Sequence, residues 1–211
     1  MSGGFEQYLG AVTRTVTEYE RDGKLVRKVA LARTYATTQV DLWDAVTNKE
    51  RLERWFLPVT GDLELGGRYQ LKGNAGGEIQ VCDPPSHLSV TWEFGGGISW
   101  VEVFFSEEAE DRAKLTLEHS CPVDSHWEEY GPGAVGVGWD LGLIGLEIHL
   151  DTDAPPFDEQ AWSTSEEGKA FMRGSSQDWC RANIEAGAEP EGSRVQAKKT
   201  AAFYTGEVTG D

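Results

Sequence analysis

Four side chains able to do metal or acid–base chemistry fall close together in this chain: His119, Cys121, Asp124 and His126. On a strand, His119 and Cys121 would share a face and present two neighbouring donors. The spacing matches no strong zinc pattern and Pro122 disturbs the geometry, so a strand end and loop is expected, without a metal. His119 also continues the face of Leu115 and Leu117. An imidazole on an apolar face is either a satisfied core residue or a hydrogen-bonding or acid–base group aimed at a ligand. His149 poses the same choice. Asp140 and Glu147, on one side of the same segment, are expected to face solvent or a basic partner such as Arg33, not to act as paired catalytic carboxylates. No Gly-x-Ser-x-Gly elbow is present and no Ser–His–Asp or Cys–His order is legible. Gly73-Asn74-Ala75-Gly76-Gly77 lacks both a following helix and Gly-Lys-Ser/Thr, so it reads as a hairpin turn and not a phosphate loop. No residue is assigned a catalytic role and no cofactor is implied.

Aromatic rings are the other candidate chemistry. Trp43, Trp55, Phe56, Trp92, Trp100, Trp127, Tyr130 and Trp139 suit a sticky apolar site, although each could equally serve core packing. Trp100 competes with Val101, Val103 and Phe105 for the inner face; if those point inward, Trp100 and Glu102 point out.

The element that would position several of these groups is Gly133–Leu150. It reads as a helix apolar on nearly every side. At about 100° per residue, Ala134, Gly138, Gly142, Gly145 and His149 fall on one side. A glycine inside a helix costs on the order of 1 kcal/mol relative to alanine. A stripe of them implies close packing against a sheet, or space kept for a ligand.

The remaining elements follow from period and punctuation. Lys24–Tyr35 alternates as a first strand. Thr37 or Thr38 caps a short helix with Val40, Trp43 and Val46 three apart, and Asn48 caps a second, Lys49–Phe56, stopped by Pro58. From residue 61 the period is two: strands at Arg68–Lys72, Gly77–Cys82, His87–Phe94, Ile98–Ser106 and Arg112–Ser120, joined by tight turns and the solvated acidic loop Glu107–Asp111. That pattern is an antiparallel meander. A last helix, capped within Ser163–Glu166, is expected to run to about Ala188 and to bury Ala170, Phe171, Trp179 and Ile184. Residues 1–22 read as an arm, 23–188 as one domain, and 189–211 as a flexible tail whose Phe203-Tyr204 either docks or hangs free.

Composition bounds the function. The chain has 211 residues and a formal charge of −17. Phosphate neutralisation needs clustered Lys and Arg, so nucleic acid is an unsuitable partner, as is an anionic membrane surface. Ala134–Leu150, about 17 residues with two acids inside it, is too short and too charged to span a bilayer. Three separated cysteines and no visible signal peptide lead to a cytoplasmic expectation. A homodimer would be ordinary.

Thr38–Phe56, Pro58-Val59-Thr60-Gly61-Asp62-Leu63, Gly66-Gly67-Arg68-Tyr69, Gly73–Gly77, Thr91-Trp92-Glu93 and Tyr130-Gly131-Pro132-Gly133 resemble the SRPBCC (START-like, helix-grip) superfamily. Within it, the chain is similar to bacterial proteins like the C-terminal domain of the heat-shock-protein ATPase activator. The resemblance covers about 24–150 and implies an α+β helix-grip fold, a curved antiparallel sheet wrapped around a long C-terminal helix. It also implies an apolar cavity between sheet and helix for a lipid-like or polyketide-like molecule. The eukaryotic activator engages its chaperone through a separate N-terminal domain, which a 22-residue arm cannot supply. Binding of a small hydrophobic molecule is therefore the expected function, with Trp55, Phe56, Trp92, His119, Trp127, Tyr130, Trp139, Gly142, Gly145 and His149 as its candidate residues. The alternatives are a chaperone- or stress-linked interaction protein and a cyclase- or hydrolase-like enzyme using a cavity histidine.

Overall fold

The computed structural model describes residues 5–151 and 158–207. Eight strands form one antiparallel, curved and unclosed sheet, and the helices lie mainly after it in the chain. This is the α+β helix-grip arrangement expected from the sequence. The strands are β1 (Thr13–Arg21), β2 (Lys24–Tyr35), β3 (Val59–Gly61), β4 (Arg68–Leu71), β5 (Gly76–Asp83), β6 (His87–Phe94), β7 (Gly97–Ala109) and β8 (Arg112–Pro122), in the order β1-β2-β8-β7-β6-β5-β4-β3. The helices are α1 (Phe5–Gly10), α2 (Gln39–Thr47), α3 (Lys49–Leu52), α4 (Ser125–Tyr130), α5 (Gly133–Leu150), α6 (Glu159–Ser163), α7 (Glu166–Glu185) and α8 (Pro190–Thr205).

The chain divides into two compact units. One contains β3–β8, the end of β2, α2, α3 and the last turns of α5 from Gly145. Its meander is set by the turns the sequence shows. Gly95 and Gly96, both at positive φ, close the β6–β7 hairpin and put Trp92 opposite Ser99 and Val90 opposite Val101. The side chains of Val101, Val103 and Phe105 on β7 and Leu115 and Leu117 on β8 are buried, and α2 packs on this face with Trp43 edge-on to Phe105. Trp100, Glu102 and Phe104 alternate onto the opposite face, where His87 stacks on Phe104 at 4.4 Å.

Thr38 caps α2 by accepting from the Asp41 amide, and Asn48 caps α3 by accepting from the Glu50 amide, as their residue types predict. The buried side of α2 is Leu42 and Ala45, and Val40 is exposed. The three-residue spacing of Val40, Trp43 and Val46 points to a neighbouring face; Leu42 and Ala45, also three apart, hold the core.

The other unit contains α1, β1, most of β2, α4, α5 as far as Ile144, and α6–α8. Residues 13–21, within the stretch read as an arm, form strand β1, and 190–205, within the stretch read as a tail, form helix α8 packed on α7 and α4. Glu189 caps α8 through the amides of Glu191 and Gly192, and Pro190 opens it, a start signal hidden by polar composition. Helix α4 also replaces part of an expected loop, with Asp124 capping it at the Trp127 amide. Ser165 caps α7, whose buried side includes Phe171 and Trp179; Ala170 and Ile184 are half-buried. Asp151–Phe157, whose Pro155 and Pro156 read in the sequence as a break after the glycine-rich helix, lies outside the described residues beyond Asp151.

Candidate functional site

His119 sits on β8 beside the buried stripe of Leu115 and Leu117, opposite Val101 of β7. It is 3 % exposed. Ser99, two residues before Val101, lies diagonally across, with its hydroxyl 2.9 Å from His119 Nε2. The Ser99 hydroxyl donates to the Trp92 carbonyl at 3.1 Å, which turns its lone pairs towards an Nε2–H of His119. Burial pushes the imidazole down to about 4, so the ring is neutral at pH 7. The half-buried Trp92 ring lies 5.9 Å away at a tilt. The result is a neutral polar pair set in an apolar sheet face beside an aromatic ring. It can hydrogen-bond; as a base near neutral pH it is weak.

A second group surrounds the α2–α3 corner. Arg51 on α3 donates from Nη1 to Asp41 at 2.7 Å and to Asp44 at 3.0 Å, both on α2. Its Nε donates to His149 Nε2 at 3.3 Å. An imidazole nitrogen accepting there carries no proton, so His149 is neutral with its hydrogen on Nδ1. Burial lowers its affinity for a proton, the Arg51 and Arg54 charges lower it further, and Asp41 opposes them. Burial raises the Asp41 carboxyl, but hydrogen bonds from Arg51 and Thr37 outweigh it and leave the group below its ordinary range. One turn before His149, a Cβ on Gly145 would meet the Trp55 carbonyl at 2.6 Å. The indole of Trp55 donates to the Ala45 carbonyl at 2.9 Å and lies 5.6 Å from the Phe56 ring. Gly145 and His149 thus receive the chain that leaves α3.

The candidate residues fall into separate groups. Trp92 and His119 meet on the sheet; Trp55, Phe56, Gly145 and His149 meet at the α2–α3 corner. Trp127, Tyr130, Trp139 and Gly142 belong to the other unit. There Trp127 is buried, and Gln196 of α8 donates to the carbonyls of Trp127 and Glu128. The Tyr130 carbonyl accepts from Thr200 and its ring lies 5.6 Å from that of Phe203, which stays largely exposed, while Tyr204 docks by donating to the Ala134 carbonyl at 3.0 Å. Trp139 is half-buried and Gly142 buried on α5.

Of the two alternatives for Asp140, solvent or a basic partner, the structure shows the second, with Arg14 in place of Arg33. Asp140 is fully buried, not facing solvent: Arg14 holds it through Nε at 3.1 Å and Nη2 at 2.7 Å, Ser175 at 2.6 Å and Trp179 Nε1 at 3.1 Å. Four donors satisfy the carboxylate away from water. Glu147 does pair with Arg33, at 3.0 Å. Among the described residues no group of three or more His, Cys, Asp and Glu could hold a metal, and no helix is long and apolar enough to cross a membrane. Asp124 is used as a helix cap and His126 lies 4.9 Å from the Tyr130 ring. Two contributors escaped the sequence reading. Ser99 was available by counting across the Gly95-Gly96 turn from Trp92; Arg51 has Asp41 and Asp44 nearby in sequence, but nothing local signalled its contact with His149, 98 residues along the chain.

The family described as activator of Hsp90 ATPase homolog 1-like protein matches residues 36–151, more than half of the chain. CalU16 from Micromonospora echinospora is similar in its crystal structure (28% identity, TM-score 0.66, covering 82% of this chain and 98% of that one). Its solution structure gives 30% identity and a TM-score of 0.69 over 83% and 97%. MLL2253 from Mesorhizobium loti shares the fold at 20% identity and a TM-score of 0.54, covering 61% of this chain and 100% of its own. No curated protein matches the chain. The family match, spanning both the α2–α3 corner and the His119 face, establishes that this chain belongs to the activator of Hsp90 ATPase homolog 1-like family of helix-grip proteins.

Proposed function

We propose that the protein binds a small, uncharged hydrophobic molecule on the α2-facing side of its sheet. The observation that carries this reading is the buried, neutral His119 paired with the half-buried Ser99 beside the half-buried ring of Trp92. Burying apolar surface at about 25 cal/mol per Å² drives such binding, and the polar pair orients a hydroxyl or carbonyl without demanding a charge. Trp55 and Phe56, half-buried on the segment after α3, supply further aromatic surface in the same unit. The weak basicity of His119 and the engagement of His149 by Arg51 favour binding over acid–base turnover. The family match supports a second reading, a chaperone-linked partner protein, in which an exposed surface and not the sheet face does the work.

Native mass spectrometry of the protein purified from its own host, followed by denaturing extraction, separates the two. A stoichiometric small molecule released on unfolding is the expected result. A clean apo mass, together with failure to take up Nile red, would overturn the binding reading and leave the partner reading.

A further inference from the structure

The α2–α3 corner is held to the end of α5 in a way that depends on one proton. Arg51 is fastened to α2 by the carboxylates of Asp41 and Asp44, and Trp55 is fastened to α2 through the Ala45 carbonyl. These bonds make α2, α3 and the following turn one piece. Towards the last turns of α5 that piece presents a backbone contact, Trp55 against Gly145, and a hydrogen bond, Arg51 Nε to His149 Nε2. The backbone contact is steric and indifferent to pH. The hydrogen bond requires an unprotonated Nε2.

The geometry points to an acid-operated clip: the Arg51–His149 contact holds the α2–α3 segment against α5 near neutral pH and lets go when the imidazole takes a proton, opening the sheet face beneath to ligand exchange. A proton on Nε2 would place two N–H donors and two cations face to face. Arg51 keeps two carboxylates, so the imidazolium is the group that loses its partner. The charges facing His149 are Arg51 and Arg54, which oppose protonation, and Asp41, which favours it. Its place in the last turn of α5 also favours a cation, and burial with the two arginines outweighs both. The sign follows: the imidazole in the folded chain titrates below its ordinary 6.5, so the clip is intact above about 6.5 and is lost as pH falls through the lowered value.

The ligand-exchange half of this inference rests on the binding reading above; the clip itself does not, and the test keeps them apart. Hydrogen exchange of residues 48–57, corrected for the intrinsic pH dependence, is measured from pH 7.5 to 5.5 in the wild type and in His149→Gln. Glutamine offers Arg51 an acceptor that does not titrate in this range. Protection in the wild type is expected to fall progressively towards pH 5.5, by at most about tenfold for a group whose ordinary value is 6.5, with little change in the variant. An equal fall in both proteins, or none in the wild type, would overturn the clip, as would an NMR titration placing His149 at or above 6.5. The dissociation rate of Nile red, measured alongside, is expected to rise with acid in the wild type alone. If Nile red binds neither protein while the exchange step is present, the binding reading fails and the clip stands.

Discussion

Asp140 is the residue whose chemistry was least visible in the sequence and is most constrained in the structure. A carboxylate with 0 % exposure survives only because Arg14, Ser175 and Trp179 all donate to it. Arg14, itself 5 % exposed in its side chain, has a second carboxylate in Asp178 at 3.2 Å. Burial raises the Asp178 carboxyl and the Asp140 charge adds to that, against the lowering by Arg14 and Arg181. The net worth of such a pair is small relative to an apolar replacement, but removing one member strands the other. Asp140→Ala is therefore expected to cost about 3–5 kcal/mol in urea unfolding, and Asp140→Leu combined with Arg14→Met to recover much of it. A loss below about 1 kcal/mol for the single change would show that Arg14 re-pairs fully with Asp178. Helical periodicity put Asp140 on a polar side of α5; nothing local announced that the partner covering that side was a cation from β1, 126 residues earlier.

At the scale of elements, the glycines of α5 differ in what surrounds them, Gly136 lying off the Gly138–Gly142–Gly145 stripe and Gly138 on it. A Cβ on Gly136 would lie within the Trp179 ring, a fully buried side chain that cannot step aside. On Gly138 it would meet only the Tyr204 hydroxyl, at 3.2 Å. Gly136→Ala is accordingly expected to destabilise by about 1–3 kcal/mol despite alanine's better helix propensity. Gly138→Ala should stay within about 1 kcal/mol of wild type, because the propensity gain offsets a small shift of Tyr204. Equal effects in thermal or urea unfolding would mean that α5 simply tolerates a methyl at either position. The sequence predicted α5 to within one residue, and also β2, β6 and both caps of the α2–α3 pair, because periodicity and capping residues are local signals. Strand β1 and helix α8 were missed for the converse reason. Thr13–Arg21 is mostly exposed, and the polar α8 is held by Thr200 and Gln196 reaching α4 carbonyls far away in sequence. The candidate site divides the same way: His119 was legible from its strand face, whereas its neutral pairing with Ser99 needed a register.

For the molecule as a whole, the formal charge of −17 bears on which ligand the sheet face could accept. A surface of one sign repels like-charged solutes over roughly a Debye length, about 10 Å at 0.1 M salt and 30 Å at 0.01 M. The sheet face offers His119 as a neutral ring, and at the α2–α3 corner the guanidinium of Arg51, one of two there with Arg54, is already engaged by two carboxylates. Both features disfavour an anion, and neither penalises a neutral apolar molecule. A ligand that binds only the folded chain raises its stability by mass action, by about 2.7 kcal/mol at one hundred times Kd. For a chain of this length that corresponds to roughly 5–10 °C in Tm. Nile red at saturation is thus expected to raise Tm by that amount, and anilinonaphthalenesulfonate, apolar but anionic, to raise it less at low salt. Adding salt should narrow the gap by screening the sulfonate's repulsion while leaving the Nile red effect nearly unchanged. A larger shift from the sulfonate at low salt would mean that a cation, and not the His119–Ser99 pair, governs what binds.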